Sequence, residues 1–182
     1  MASRLLLISA CLLGAETRYK GGPHPHWETF FRHVMPAAKA AGFVFLPVCP
    51  EQLGGLPTPR PPSELQGPAV DVLAGRARIL TNQGVDVTHP YLLGARTVAH
   101  FASLLGAEGA VLTERSPACG VHRVYAGAFD GRLTDGAGLA TRALLDLGIR
   151  CLSSDELLPA AGTALCAPEV HIRKLESLLV KT

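Results

Sequence analysis

The chain has 182 residues, 48% of them hydrophobic, and carries a net charge of +2 from 17 Lys and Arg against 15 Asp and Glu. This length suffices for one hydrophobic core and is short for two ordinary domains, so we expect a single domain over residues 1–182. The sequence has no basic run interleaved with aromatic residues and no apolar run near the roughly 20 residues of a membrane span, which excludes nucleic acid and a membrane as leading partners.

The chain contains five cysteines, an odd number. The apolar run from Leu5 to Ala10 is short for a secretory signal, whose apolar region has about 7 to 15 residues. Without such a signal, an odd number of cysteines favours a reducing compartment and thiol or metal chemistry over a disulfide framework. We therefore expect a cytoplasmic protein.

Apolar strands and amphipathic helices alternate along the chain. Short apolar runs predict parallel strands over residues 4–10, 43–48, 109–114 and 149–153. Helical spacing predicts helices over residues 27–41, 89–106, 139–148 and 168–181. Pro36 is expected to kink or divide the first of these helices because proline lacks a backbone N–H.

Three further segments connect these elements. Residues 50–68 contain six prolines and predict a long ordered loop or flap. Residues 69–88 predict short strands with a turn near Gly84, and two Asp-Gly pairs predict a hairpin within residues 125–136. The whole pattern predicts an α/β fold, namely a three-layer sandwich with a mainly parallel, Rossmann-like sheet and a small hairpin excursion.

Three cysteines follow three different predicted strands. Cys11 and Cys49 come directly after the first two strands, and Cys119 comes five residues after the third. Right-handed crossovers bring the C-terminal ends of parallel strands to one edge, where α/β sheets bind ligands, so the three thiols are predicted to converge. Three thiolates suit a zinc ion with one open position or a [4Fe-4S] cluster with one free iron, whereas cysteines in a reduced core are the structural alternative.

The remaining candidate ligands are placed outside this group. Cys151 falls inside a short predicted strand, where a thiol packs as a small hydrophobic side chain. Cys166 lacks a strand-end position and is interpreted as structural or exposed. His24 and His26 lie in a proline-rich loop, where histidines are more often solvated than metal-bound, so both are left out of the predicted site. The absence of a Gly-rich phosphate loop predicts no nucleotide cofactor.

Six segments carry a family resemblance. They are SACLLG (9–14), RYKGG (18–22), VCPEQLGGLPTPRPPSE (48–64), GVDVT (84–88), RSPACG (115–120) and YAGAFDGRLTDGAG (125–138). In order and spacing they resemble the bacterial 2-thiouracil desulfurase family over about residues 3–155. The resemblance implies a [4Fe-4S] enzyme that removes sulfur from a thiolated pyrimidine or a related thioamide. It also implies that Cys11, Cys49 and Cys119 hold the cluster while the fourth iron takes the substrate's sulfur.

Two positions depart from the pattern of that family. Members commonly read RYDG and SPSCG, whereas this chain has Lys20 and Ala118 at the corresponding positions. The departures change one charge and one hydroxyl near the predicted site and leave the three cysteines in place. The exact thiolated substrate is therefore left open.

Two side chains next to the predicted ligands are assigned catalytic roles. Glu51, two residues after Cys49, is the predicted base that activates water, with an ion pair to Arg60 as its structural alternative. Ser116 is predicted to hydrogen-bond the substrate oxygen or a cluster sulfide, and its alternative role is to cap the turn at the following proline.

Ser9 and Asp86 are predicted to line the substrate pocket. Ser9 lies two residues before Cys11, and Asp86 belongs to GVDVT. The alternatives to the desulfurase are a zinc hydrolase with three cysteine ligands and a non-catalytic carrier of sulfur or of the cluster. Iron content separates the first alternative from the desulfurase, and sulfide release from a thiopyrimidine separates the second.

Overall fold

A computed structural model gives the structure of the chain and describes residues 3–158 and 167–179. Within these residues the strands are, in chain order, β1 (Arg4–Ser9), β2 (Phe43–Val48), β3 (Ser63–Leu65), β4 (Ile79–Thr81), β5 (Gly109–Leu112), β6 (Arg123–Tyr125), β7 (Leu133–Asp135) and β8 (Arg150–Ser153). The α-helices are α1 (Trp27–Thr29), α2 (Met35–Ala40), α3 (Pro50–Leu53), α4 (Ala69–Leu73), α5 (Thr88–Leu105), α6 (Leu139–Asp146), α7 (Ser154–Leu157) and α8 (Pro168–Glu176).

Four parallel strands form the central sheet in the order β2–β1–β5–β8. Leu6 of β1 lies opposite Phe45 of β2 on one side and Gly109 of β5 on the other. The last four residues of β1 and all of β5 are buried. This agrees with their continuous apolar sequences, because parallel strands covered by helices on both faces have no side that meets water.

Helices cover both faces of this sheet. On one face α4, α5 and α6 pack against Leu7 and Leu112, and on the other α2 and α8 pack against Leu6 and Ile8. Neighbouring residues of β1 thus belong to different cores, as the period of two in a strand requires. The predicted three-layer α/β sandwich is confirmed. No helix in residues 3–158 or 167–179 combines the length and the apolar character that a membrane span needs.

Two small antiparallel pairs lie outside the central sheet. The pair β6–β7 is the predicted hairpin, with Val124 opposite Thr134. The pair β3–β4 is joined through the segment that contains α4. In the chain, β3 follows β2 and β6 follows β5. Both pairs are therefore built from segments that leave the C-terminal ends of main strands. They supply walls for the cavity described below.

Two predictions about the connecting segments are wrong in part. Residues 69–73 were expected in a strand but form α4, with Ala69 and Val72 buried three residues apart on one helical face. Alternating valines in AVDVL suggest a strand, whereas packing against α6 favours the helix. The predicted flap over residues 50–68 contains a helical turn, α3, and the short strand β3.

The helix predicted over residues 27–41 is helical over residues 27–40, with a change of helix type near Pro36 in place of a break. A π-helical turn, Phe30–Val34, lies between α1 and α2, and Pro36 is the second residue of α2. The closing helix, predicted over residues 168–181, is described as α8 to Glu176. Cys166 and residues 180–182 lie outside the described residues.

Candidate metal centre

The structure brings the three predicted cysteine ligands to one cavity. Cys11 lies in a 3₁₀ turn, Ala10–Leu13, directly after β1, and Cys49 is the residue between β2 and α3. Cys119 lies in the loop that follows β5. All three line a cavity of about 780 Å³ at the C-terminal edge of the sheet. Their convergence follows from three parallel strands that end at one edge, while their role as ligands stays a prediction.

Cys11 and Cys119 are buried, Cys49 is half-buried, and the three thiols lie close enough to influence one another. Burial raises the pKa of Cys11 and of Cys119, and a thiolate at Cys49 would raise both further. Three neighbouring thiolates therefore need a positive centre to balance their charge. A metal site supplies that balance, so the chemistry of this donor set fits a metal group held by three thiolates.

Among residues 3–158 and 167–179, no three His, Cys, Asp or Glu side chains are arranged to hold a single metal ion. Three thiolates suit either a zinc ion with one open position or a [4Fe-4S] cluster with one free iron. The donor set by itself is therefore compatible with both kinds of metal site.

Hydroxyl groups surround these thiols. Thr113 Oγ1 lies 3.2 Å from Cys11 Sγ, and the N–H of Thr113 donates to Ser9 Oγ at 3.0 Å. The hydroxyls of Ser9 and Ser116 favour the thiolate of Cys119 and counteract part of the rise in its pKa caused by burial. These hydroxyls are placed to donate to a thiolate or to a sulfide beside it.

Ser116 has the capping role that the sequence offered as its structural alternative, and its predicted hydrogen bond to substrate or cluster stays a prediction. Its Oγ accepts hydrogen bonds from the N–H of Ala118 at 3.2 Å and of Cys119 at 3.1 Å, which caps the turn. The residue also lines the cavity. Capping thus fixes the hydroxyl next to Cys119, and the structural alternative does not remove Ser116 from the candidate site.

Glu51 and Arg60 form a buried ion pair in the cavity wall. Their side chains are only 10% and 5% exposed, and contact is made between Glu51 Oε2 and Arg60 Nη2. Arg60 also donates to Thr17 O and Thr58 Oγ1, both at 3.1 Å. The pair therefore ties the proline-rich segment to the loop after β1. Glu51 also lines the cavity, with its Oε2 in contact with Arg60.

Asp86 does not lie in the cavity where it was predicted. Its side chain is exposed, accepts a 2.9 Å hydrogen bond from the N–H of Thr88 and lies 3.6 Å from Arg78. Hydrogen bonds from Thr88 hold the pKa of this carboxyl below its ordinary value. Asp86 stabilises the start of α5, which explains a carboxylate at this position without a contact to substrate.

Glu114 is a buried carboxylate that the sequence analysis missed. Its Oε1 accepts hydrogen bonds from the N–H groups of Val121 at 3.2 Å, His122 at 3.1 Å and Arg123 at 2.8 Å. Burial raises the pKa of Glu114, but hydrogen bonds to the carboxylate outweigh it and hold the pKa below its usual range. The largest of these contributions comes from the N–H of Arg123. One carboxylate thus closes the loop that carries Cys119. The sequence feature that could have identified Glu114 was an acidic residue at the end of an apolar strand.

Glu64 fixes the tip of the β6–β7 hairpin over the cavity. Its Oε2 accepts hydrogen bonds from the N–H groups of Gly127 at 2.8 Å and Phe129 at 3.1 Å. Gly127 has φ of +91°, and a Cβ there would lie 2.7 Å from Leu65 O, so only glycine fits this approach. Phe129 and Tyr125 line the cavity from this tip.

His24 and His26 also line the cavity, although they were left out of the predicted site. The prediction of a solvated side chain is wrong for His24, which is only 7% exposed. Its backbone N–H donates to Cys11 O at 2.9 Å. Burial, followed by the nearby Arg18, lowers the pKa of His24 to about 4, so the ring is neutral at neutral pH. The proline-rich GPHPH segment packs against the first cysteine turn, which the sequence did not reveal.

Cys151 and Lys20 lie apart from the cavity. Cys151 is half-buried in β8, packs against the larger apolar core and has its pKa raised to about 12 by burial. Lys20 is exposed, and its ammonium lies 5.6 Å from the centre of the Tyr19 ring. Ala118, the second departure from the family pattern, is buried. The altered charge therefore lies on the surface and the altered hydroxyl beside Cys119.

The fold and the site define the class of protein. It is an α/β protein with three thiols at the ligand-binding edge of its parallel sheet. The chain belongs to the 2-thiouracil desulfurase family, whose model matches residues 6–156. Among its relatives, the uncharacterized protein YbbK of Bacillus subtilis (strain 168) is 39% identical over 154 residues, 84% of this chain and 97% of its own.

A solved structure is similar over nearly the same range. It is the [4Fe-4S]-dependent thiouracil desulfidase TudS, which is 37% identical to this chain and superposes with a TM-score of 0.71. The similarity covers 85% of this chain and 93% of that one. The family resemblance carried by the six segments is confirmed.

Proposed function

We propose that this chain is an iron-sulfur-dependent desulfurase that removes the sulfur of a thiolated pyrimidine, such as 2-thiouracil, or of a related thioamide. One observation carries the proposal, namely that three thiols from three strand ends line one cavity in a member of the 2-thiouracil desulfurase family. The similarity to TudS, a [4Fe-4S]-dependent thiouracil desulfidase, supports the same cofactor and substrate class.

Cys11, Cys49 and Cys119 would hold the cluster. When bound, a [4Fe-4S] cluster with three protein ligands supplies a Lewis-acidic iron with an open position for a soft sulfur atom. Ser9 and Ser116, whose hydroxyls favour the thiolate of Cys119, would stabilise the charge of the sulfur ligands. The remaining volume of the cavity accommodates a small heterocycle beside the thiols.

Glu51 would act as the base for water. Its carboxylate lies in the cavity wall two residues after Cys49, with Oε2 held by Arg60. Oε1 would accept a proton from a water whose oxygen adds to the thiocarbonyl carbon. The carbon–sulfur bond then breaks, oxygen replaces sulfur on the ring and the sulfur leaves as hydrogen sulfide. The exchange is a hydrolysis and requires no oxidant or reductant.

Two alternatives compete with this proposal. The similarity to TudS, which is [4Fe-4S]-dependent, disfavours a zinc hydrolase. A carrier of sulfur or of the cluster has no need for a cavity of about 780 Å³ with a carboxylate beside the thiols. Both features favour a desulfurase that acts on a small molecule.

The proposal is tested by anaerobic reconstitution followed by an assay for sulfide. The loaded chain is expected to be brown, to contain roughly four irons and to release sulfide and uracil from 2-thiouracil. A colourless, zinc-loaded chain after the same treatment would overturn the cluster. Transfer of the cluster to an acceptor protein without release of sulfide from any thiopyrimidine would instead identify a carrier.

A further inference from the structure

His24 is held in the cavity wall by two backbone contacts. Its own N–H donates to Cys11 O at 2.9 Å, and its Nδ1 accepts a hydrogen bond of 3.2 Å from the N–H of His26. Only 7% of the residue is exposed, and it lines the cavity that contains the three thiols. The ring therefore has a fixed place next to the first cysteine.

These contacts determine which ring nitrogen carries the proton. Because Nδ1 accepts from His26, the proton of the neutral imidazole resides on Nε2. Nε2 makes no hydrogen bond with residues 3–158 or 167–179. It is not one of the fully buried side-chain atoms of these residues that lack a hydrogen-bond partner. His24 thus presents one N–H donor that a ligand in the cavity can reach.

An N–H donor needs an acceptor, and a substrate of the proposed kind carries one. In 2-thiouracil the ring that bears the thiocarbonyl also bears a carbonyl oxygen on another carbon.

We propose that His24 determines substrate specificity by donating a hydrogen bond from Nε2–H to the carbonyl oxygen of the bound thiopyrimidine. The proposal rests on the proposed desulfurase function and adds a requirement to it. A site built to hydrogen-bond a substrate oxygen discriminates against an analogue that lacks this oxygen, because the buried donor is then left unpaired. His24 would therefore favour 2-thiouracil over pyrimidine-2-thione, which has the same thioamide and no carbonyl.

Binding to the cluster-loaded chain tests this selectivity. The dissociation constants of 2-thiouracil and pyrimidine-2-thione are measured for the wild type, His24→Phe and His24→Gln. We expect His24→Phe to weaken the binding of 2-thiouracil about 10- to 100-fold and to leave the binding of pyrimidine-2-thione unchanged. His24→Gln, whose side-chain amide donates a hydrogen bond, should partly recover the binding of 2-thiouracil. His33→Phe, the same change at an exposed position, is the control and should alter neither constant.

Three binding results overturn the proposal. If His24→Phe weakened the binding of both compounds equally, the role of the ring would be in packing or in holding the cluster. Unchanged binding of both would leave His24 without a role in recognition. No preference of the wild type for 2-thiouracil would remove the selectivity that His24 is proposed to cause.

Nuclear magnetic resonance of the metal-free chain gives a readout that is independent of turnover. In ¹⁵N-labelled protein, long-range correlations are expected to show the Nε2–H tautomer of His24, and added uracil should shift its Nε2 resonance. An Nδ1–H tautomer, or a resonance that uracil leaves in place, overturns the proposal even if His24→Phe fails to load the cluster. A wild type that binds uracil through His24 but releases no sulfide would overturn the desulfurase function alone.

Discussion

Glu51 and Arg60 form an ion pair in which both charged groups are almost entirely buried. A buried ion pair is costly to break, because removing one partner leaves the other charge without compensation. The same carboxylate lies in the wall of the cavity that contains the three thiols. Glu51 therefore has a structural role in the ion pair and a proposed role as the base for water. The effects of one substitution separate these two roles.

Glu51→Gln is expected to slow single-turnover sulfide release by about 10²- to 10⁴-fold at saturating 2-thiouracil, the usual scale for loss of a general base. Iron content should remain close to that of the wild type, because none of the three thiols is changed. The melting temperature should fall, since the glutamine leaves Arg60 without its counter-ion. Iron analysis, thermal denaturation and rapid-quench kinetics measure the three effects separately.

Glu28→Gln is the matched control for this experiment. Glu28 is exposed in α1, so its substitution should change neither the rate nor the melting temperature measurably. A Glu51→Gln protein that melts at a lower temperature but retains the wild-type single-turnover rate would restrict Glu51 to fixing the proline-rich segment. Water activation would then belong to another group in the cavity.

The convergence of the thiols was predictable because it depends on topology. Apolar runs such as that of β1 mark buried parallel strands, and the ends of parallel strands share an edge wherever the loops lead. For Cys11 and Cys49, which directly follow their strands, this argument needs neither side-chain packing nor the conformation of a loop. The position of Cys119 also depends on the loop after β5 that Glu114 closes.

Features that depend on loop packing were not predictable in the same way. His24 was expected to be solvated, and only the folded loop shows that it packs beside Cys11. Asp86 was expected at the pocket because of its motif, whereas it stabilises the start of α5. In both cases a contact between distant segments, or within one turn, decides the role of a polar side chain.

Replacement of one proposed ligand should empty the site. Cys11→Ser, Cys49→Ser or Cys119→Ser is expected to abolish or greatly weaken cluster retention, because a hydroxyl oxygen is a poor substitute for thiolate on iron. Cys151→Ser is the control, since this thiol packs in β8 away from the cavity and should cost packing stability only. Iron content and visible absorbance after anaerobic reconstitution measure the effect. A Cys151→Ser protein that lost its iron would refute the ligand assignment.

The helix that follows Cys49 should be sensitive to one added methyl group. α3 and α5 cross at Gly54 and Gly94, where a Cβ on Gly94 would overlap the carbonyl oxygen of Pro50. Gly94→Ala must push α3 away from α5, which we expect to cost about 1–3 kcal/mol and to weaken cluster retention through Cys49.

Chemical denaturation and iron content measure the two consequences of Gly94→Ala. Ser103→Thr adds one methyl group at an exposed position of the same helix and should change the free energy of unfolding by less than about 0.5 kcal/mol. Equal stability of Gly94→Ala and the wild type would show that α3 is free to move. Cluster retention would then not depend on this crossing.

The carboxylate of Glu114 should make the stability of the chain depend on pH. Its pKa is depressed in the folded state by hydrogen bonds from the Arg123 N–H and its neighbours, which outweigh the effect of burial. The folded state therefore binds this proton less readily than the unfolded state. The resulting stabilisation is complete above the ordinary Glu value of 4.5 and is lost as the pH falls through the depressed value.

Two substitutions separate the charge of Glu114 from its hydrogen bonds. Glu114→Gln retains an acceptor without the charge, so its free energy of unfolding should fall less steeply with decreasing pH than that of the wild type. Glu114→Ala leaves buried N–H groups unpaired and is expected to cost at least about 1–3 kcal/mol at neutral pH and to lower cluster retention through the Cys119 loop. Urea denaturation of the metal-free chains between neutral and acid pH, with exposed Glu169→Gln as control, measures these effects. Parallel pH profiles for the wild type and Glu114→Gln would contradict the depressed pKa, because a group with equal pKa values in both states contributes no slope.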